Sequence, residues 1–158
     1  MSCGGATTGH ILGAWNELPP QIDALRPNTK LVTVTIGGND VGYIAGLFAA
    51  SCGARPETAM CKGFAARRSG PLPVIDELAW EALVSRLDQI TAEVRKRAPS
   101  ARLVFIDYLT ILPKAGQCDA APLARAPMAE ARKKAARLAT LTAQAAKRAG
   151  ATIVRASR

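Results

Sequence analysis

The chain has 158 residues, a formal net charge of +9 and 49% apolar residues. That is one domain's length with enough apolar side chain for a core, which excludes a disordered polyelectrolyte and a fold that depends on disulfides. No apolar run reaches the ~18 residues needed to cross a bilayer, so stable membrane insertion is not expected, and no basic-then-apolar leader pattern follows Met1.

The elements follow in chain order. Residues 1–13, "MSCGGATTGHILG", are small and turn-rich, and "AWNELPPQIDAL" reads as a short helical segment interrupted by Pro19-Pro20. After the turn "RPNTK", Leu31–Ile36 is an apolar, β-branched run that predicts a strand buried on both faces. Residues 37–73 form a long connection in which "VGYIAGLFAAS" supplies a helical turn or two. Leu83, Leu87, Ile90 and Val94 then mark one stripe of a helix over residues 75–97. Its basic last turn, Arg95-Lys96-Arg97, suits the helix dipole, and Pro99 ends it. "RLVFIDYL" is a second strand, "LPKAGQCDAAP" a loop, and residues 123–149 an alanine-rich helix closed by Gly150. "ATIVRAS" is the third strand. Strand, helix, strand, helix, strand with long crossovers predicts an α/β fold with an open parallel sheet. In such sheets ligands bind beyond the carboxyl ends of the strands.

The charge is uneven along this order. Residues 1–60 carry three Lys/Arg against four Asp/Glu, and residues 61–158 carry 18 against 8. A basic half can serve nucleic acid or another anionic surface. Here the basic side chains lie along the two predicted helices, interleaved with alanine, with few aromatics and no binding motif. Solvated helix faces explain them, and no nucleic acid is expected as a partner. With one histidine, His10, and four cysteines lacking a C-x-x-C spacing, neither a metal site nor a cofactor is expected. Cys52 and Cys61 bracket the polar loop "GARPETAM". That spacing suits a loop-closing disulfide and an oxidising compartment, with buried free thiols as the alternative.

The stretch "LVTVTIGGNDVGY", residues 31–43, carries the chemistry. Glycines let the backbone turn sharply and approach a ligand. The Asn39 amide at the mouth of the sheet is a donor suited to an oxyanion. Asp40 is an acid/base group or the cap of the segment that follows, and turn chemistry alone also accounts for Gly-Gly-Asn-Asp.

"TIGGNDVGY" resembles the third block, Gly-x-Asn-Asp, of the SGNH hydrolases, also called the GDSL esterase/lipase family, and "SCGGATT" at residues 2–8 resembles the second. The likeness runs over the whole chain and is closest to the secreted, disulfide-bearing bacterial branch. It implies a flavodoxin-like three-layer α/β/α sandwich and hydrolysis of small-molecule or lipid esters by a monomer, without cofactor. It implies oxyanion donors at Gly5 and Asn39, with Gly38 freeing the backbone before Asn39. Tyr43, after the third block, is a candidate to flank the site, and His10 has a solvent-exposed or substrate-lining role rather than that of general base. Trp15 is a pocket or core residue, and Asp107 a structural one. The branch pairs cysteines in the loop after the third block, which corresponds to Cys52 with Cys61, and leaves Cys3 and Cys118 with partners elsewhere.

The chain departs from the family in lacking both the Gly-Asp-Ser block of the nucleophile and the Asp-x-x-His block of the base. The resemblance therefore casts residues 1–158 as a single partial domain truncated at both ends, with serine and histidine outside it and the parent secreted. The alternative is a non-catalytic remnant, a ligand- or glycan-binding module of the same fold. A third reading is a basic module that binds an anionic surface.

Overall fold

The computed structural model describes residues 3–66, 74–116 and 123–157. In chain order the elements are α1 (Thr8–Leu12), a 3-10 turn (Gln21–Ala24), β1 (Leu31–Val34), α2 (Tyr43–Ala54) and α3 (Ala59–Ala66). They continue with α4 (Glu77–Arg97), β2 (Arg102–Ile106), α5 (Arg125–Arg148) and β3 (Thr152–Val154). The three strands form a parallel sheet in the order β1-β2-β3, with Leu31 opposite Arg102 and Val104 opposite Thr152.

α4 forms where the stripe predicts it. Leu83, Leu87, Ile90 and Val94 are all buried, the Asp76 carboxylate accepts from Ala79 N–H at 3.0 Å to cap its start, and Arg95–Arg97 fill its last turn. α5 ends at Gly150, which adopts φ +58°, a left-handed conformation that favours glycine. Two right-handed crossovers running the same way put α4 and α5 on one face of the sheet, and the two helices touch. Val32, Val34, Leu103, Phe105 and Ile153 turn to that face and pack with α4 and with Leu138 and Ala145 of α5. This side is the core.

The opposite face carries exposed Leu31, Thr33, Thr152 and Val154. Among the described residues no second helical layer covers them. The parallel α/β architecture is thus present with one of the two helical layers implied by the resemblance. Expected burial of Leu31–Ile36 on both faces is corrected for the same reason. The strand is shorter and Leu31 is 57% exposed, because β1 pairs along one edge and is covered on one face. Its β-branched residues report strand propensity, not two-sided burial.

Two other local readings change. The turn-rich start contains α1, and the expected helix at 14–25 is instead a Trp15–Leu18 bridge with Asn16 at φ +53°, followed by the 3-10 turn. Pro19-Pro20 prevents a continuous helix there. The connection after β1 is largely helical, since α2 alone runs for 12 residues. The "RRSGPLP" stretch and Cys118 lie outside the described residues.

Candidate active site

The chain leaves β1 through a turn that only glycine fits. Gly37 has φ +105°, and a Cβ there would stand 2.9 Å from Leu83 Cδ1 and 3.2 Å from Leu138 Cδ1. A Cβ on Gly38 would stand 2.8 Å from the Tyr108 Cζ and Oη atoms. Gly38 N–H donates to that same Tyr108 oxygen at 3.0 Å, and Tyr43 N–H donates to Gly38 O at 2.8 Å. The backbone is thereby held between the core helices and the Tyr108 ring. Asn39 is delivered past the carboxyl end of β1 with its residue exposed to solvent.

Asn39 and Asp40 then capture a segment far away in sequence. Asn39 Nδ2 donates to Ala6 O at 2.8 Å across 33 residues. The Asp40 carboxylate accepts from Thr8 N–H at 2.9 Å and from the Thr8 hydroxyl. Thr8 is fully buried, the Asp40 side chain is 6% exposed, and Arg86 Nη1 lies 3.7 Å from the carboxylate. Asp40 therefore caps α1, 32 residues upstream, rather than the segment that follows it. A primary amide has two hydrogens. One fixes the orientation of Asn39, and the other has no partner among the described residues.

Gly5 lies one residue from the Ala6 carbonyl. Its φ is +90°, and a Cβ there would meet Trp15 Cη2 at 3.3 Å. Among the described residues its N–H donates to none. The Trp15 ring that supports it stacks on His10, with centroids 5.1 Å apart. His10 Nδ1 accepts from Thr7 N–H at 3.0 Å, so that nitrogen carries no proton and is committed to the start of α1. Cys3 is a half-buried free thiol packed against the core.

Tyr43 and Tyr108 meet edge to face at 6.3 Å. Both line a cleft of about 350 Å³, with Leu109, Ile111 and Leu112 after β2 and Ala135 and Ala139 of α5. Burial raises both phenols above their ordinary value. For Tyr108 the Gly38 bond opposes that shift and the Asp40 charge adds to it. Asp107, at the end of β2, is buried. It accepts from Ser157 N–H at 2.9 Å and from the Ser157 hydroxyl at 2.7 Å, which fastens the chain after β3. Cys52 and Cys61 form a disulfide with Cα atoms 5.3 Å apart, tying α2 to α3.

Residues 1–157 match the GDSL-like lipase/acylhydrolase family. The chain belongs to this family. It is 32% identical over 158 residues to Lipase 2 of Streptomyces coelicolor, covering 98% of this chain and 53% of that protein. It is 29% identical over 117 residues to a lipase of Streptomyces rimosus, covering 74% of this chain and 38% of that lipase. Its fold is similar to the crystal structure of an extracellular lipase from S. rimosus. There the TM-score is 0.69 and the identity 24%, covering 98% of this chain and 59% of that one. Phospholipase A1 from Streptomyces albidoflavus NA297 is similar too, with a TM-score of 0.66 and 27% identity over 96% of this chain and 57% of that one. The chain covers between 38% and 59% of these proteins.

In this GDSL-family chain, the two stretches singled out in the sequence are those joined by the Asn39 and Asp40 hydrogen bonds. Gly5, Gly38, Asn39 and Tyr43 fall within that assembly or against it, and His10 sits at its edge through Trp15. Sequence reading missed Thr8, Arg86 and Tyr108. Tyr108 lay inside the predicted strand "RLVFIDYL"; the observed β2 ends at Ile106, which puts Tyr108 beyond the carboxyl end of the sheet, on the side where Asn39 stands. Thr8 lay in the quoted stretch at 2–8 without a role assigned and Arg86 carried no local signal, because packing sets what each one meets.

Proposed function

We propose that this chain carries the oxyanion-binding half of an ester hydrolase of the lipase/esterase type. The observation that carries the reading is the Asn39–Ala6 bond, which orients the Asn39 amide beside the segment that holds Gly5; the second amide hydrogen and the Gly5 N–H have no partner among the described residues. When a serine oxygen attacks an ester carbonyl, the carbonyl oxygen gains negative charge. Two preset N–H donors stabilise that charge more than they stabilise the neutral substrate. Collapse expels the alcohol, and water then attacks the acyl-serine through a second oxyanion held by the same donors.

The nucleophilic serine and its histidine base come from outside these residues, since no Gly-Asp-Ser or Asp-x-x-His block occurs in the sequence. His10 keeps a lining role at the edge of this assembly, which its stacking on Trp15 and its Nδ1 bond to Thr7 N–H support. Gly38 seats Asn39, and Tyr43 lines the neighbouring cleft, where the substrate ester lies. The substrate is a small-molecule or lipid ester. The relatives' names, lipase and phospholipase A1, agree with that class. The Cys52–Cys61 disulfide and the extracellular relative support a secreted protein. Residues 1–158 are part of one SGNH domain, which acts as a monomer without cofactor.

The test is hydrolysis of p-nitrophenyl butyrate by the longest natural protein that contains these residues. Asn39→Ala lowers kcat by about 10²–10³ with little change in KM, at an unchanged circular dichroism spectrum. A kcat within about threefold of the parent removes Asn39 from the oxyanion role, since one such donor is worth far more. The 158-residue chain alone gives no turnover above buffer, and turnover by it would place the nucleophile within this sequence.

A further inference from the structure

We infer that the α2–α3 hairpin docks on an anionic lipid surface. α2 has no charged residue in its 12 positions, and a helix that is apolar all round is expected to be buried all round. Here only its first residue, Tyr43, is buried, and Phe48 is 37% exposed. On α3, Met60 is 58% exposed. The disulfide holds the two helices together, and the Phe48 and Phe64 rings stack at 5.9 Å. Phe48 and Met60 border a groove of about 220 Å³ that shares Ile111 and Leu112 with the larger cleft beside Tyr43. Leu109, which lines the larger cleft, and Ile111, which lines both, are also exposed. Apolar lining thus links the hairpin groove to the cleft at the mouth of the sheet through Ile111 and Leu112. Such a patch marks an interaction site.

Charge selects the occupant. Arg55 and Lys62 on the hairpin, Lys114 after Ile111, and Arg125 at the start of α5 are all exposed. None of the four has an ion-pair partner among the described residues. Glu57 is the only acid in residues 43–66 or 109–116. Elsewhere on α4 and α5, Arg97, Lys133, Arg137 and Arg148 are each paired to a carboxylate. Exposed apolar side chains with cations on the same segments that have no ion pair among the described residues fit an interface of acyl chains below anionic headgroups. Docking of this kind does not depend on hydrolysis, so its test is read without turnover.

The experiment is co-sedimentation of the 158-residue protein with vesicles of equimolar phosphatidylglycerol and phosphatidylcholine, against vesicles of phosphatidylcholine alone. The protein pellets with the anionic vesicles and not with the neutral ones. Phe48→Asp and Met60→Asp each weaken binding by about tenfold or more. Leu31→Asp makes the same charge change at an exposed apolar residue at the amino end of β1 and leaves binding intact. Phe48→Trp, which keeps the surface apolar, gives blue-shifted emission when anionic vesicles are added. Equal binding to both vesicle types, equal loss with Leu31→Asp, or unshifted emission from the Phe48→Trp protein each overturns the proposal. So does a dimer, seen by sedimentation equilibrium, that buries Phe48 and ignores vesicles.

Discussion

Replacing Asp40 with alanine removes the acceptor that ties α1 to the turn after β1. Two donors of Thr8 lose their partner, the backbone N–H at 2.9 Å and the hydroxyl. Thr8 is fully buried, so water replaces that acceptor poorly. An unsatisfied buried donor costs about 1–3 kcal/mol, which gives about 2–5 kcal/mol for the pair after local relaxation. Arg86 adds little, since an ion pair at 3.7 Å with a 47% exposed partner side chain contributes about 0–1 kcal/mol. The loss is a large share of a domain stability of about 5–15 kcal/mol. Urea unfolding followed by circular dichroism measures it. Asp40→Asn keeps one acceptor oxygen for the Thr8 N–H and costs about half as much. A double-mutant cycle with Thr8→Val isolates the hydroxyl bond, with a coupling of about 1–2 kcal/mol. An Asp40→Ala protein within about 0.5 kcal/mol of the parent, or additive with Thr8→Val, refutes the reasoning.

Gly38→Ala forces the Tyr108 ring end away from a Cβ position 2.8 Å from it, breaking the Gly38–Tyr108 bond and the edge contact with Tyr43. The expected cost is about 1–3 kcal/mol in a thermal melt. It shrinks in a Tyr108→Ala background, and an unchanged cost there would show that the ring is not the obstacle. The chain has two tyrosines, and burial raises both phenols from their ordinary value of 10.0. The fold favours the neutral phenol, so the associated stability is full below pH 10.0 and is lost as pH rises through the higher folded values. Phenolate absorbance should appear above the ordinary range or together with unfolding, and titration at the ordinary value in an intact fold would contradict this. Reducing Cys52–Cys61, separated by 9 in sequence, removes about 2.5 kcal/mol of loop-closure stabilisation. Hydrogen exchange should report the loss in α2 and α3 first, and unchanged protection there would count against it.

The sequence by itself determined the order of the three strands and two long helices, the extent of α4, and the glycine turn at 37–40 that ends the first strand. These are local readings. A 3.6-residue apolar stripe selects a helix whose core side is already written in it, and a β-branched run ending in glycine selects a strand end. Asn39 as an oxyanion donor was one reading of its local chemistry, beside a plain turn; the family resemblance favoured it and alone implied Gly5. Tertiary structure alone decided which polar groups meet. Asn39 reaches Ala6 and Asp40 caps Thr8 across more than thirty residues, so the Asp40 cap could not be found by looking only at its own neighbours. Tyr108 belongs beside Gly38 because parallel pairing sets the end of β2 next to the end of β1. Burial was likewise undecided in the chain. Leu31 and Phe48 lie in runs as apolar as any in the core, yet both are exposed, because burial depends on what packs against a segment and not on the segment's own composition.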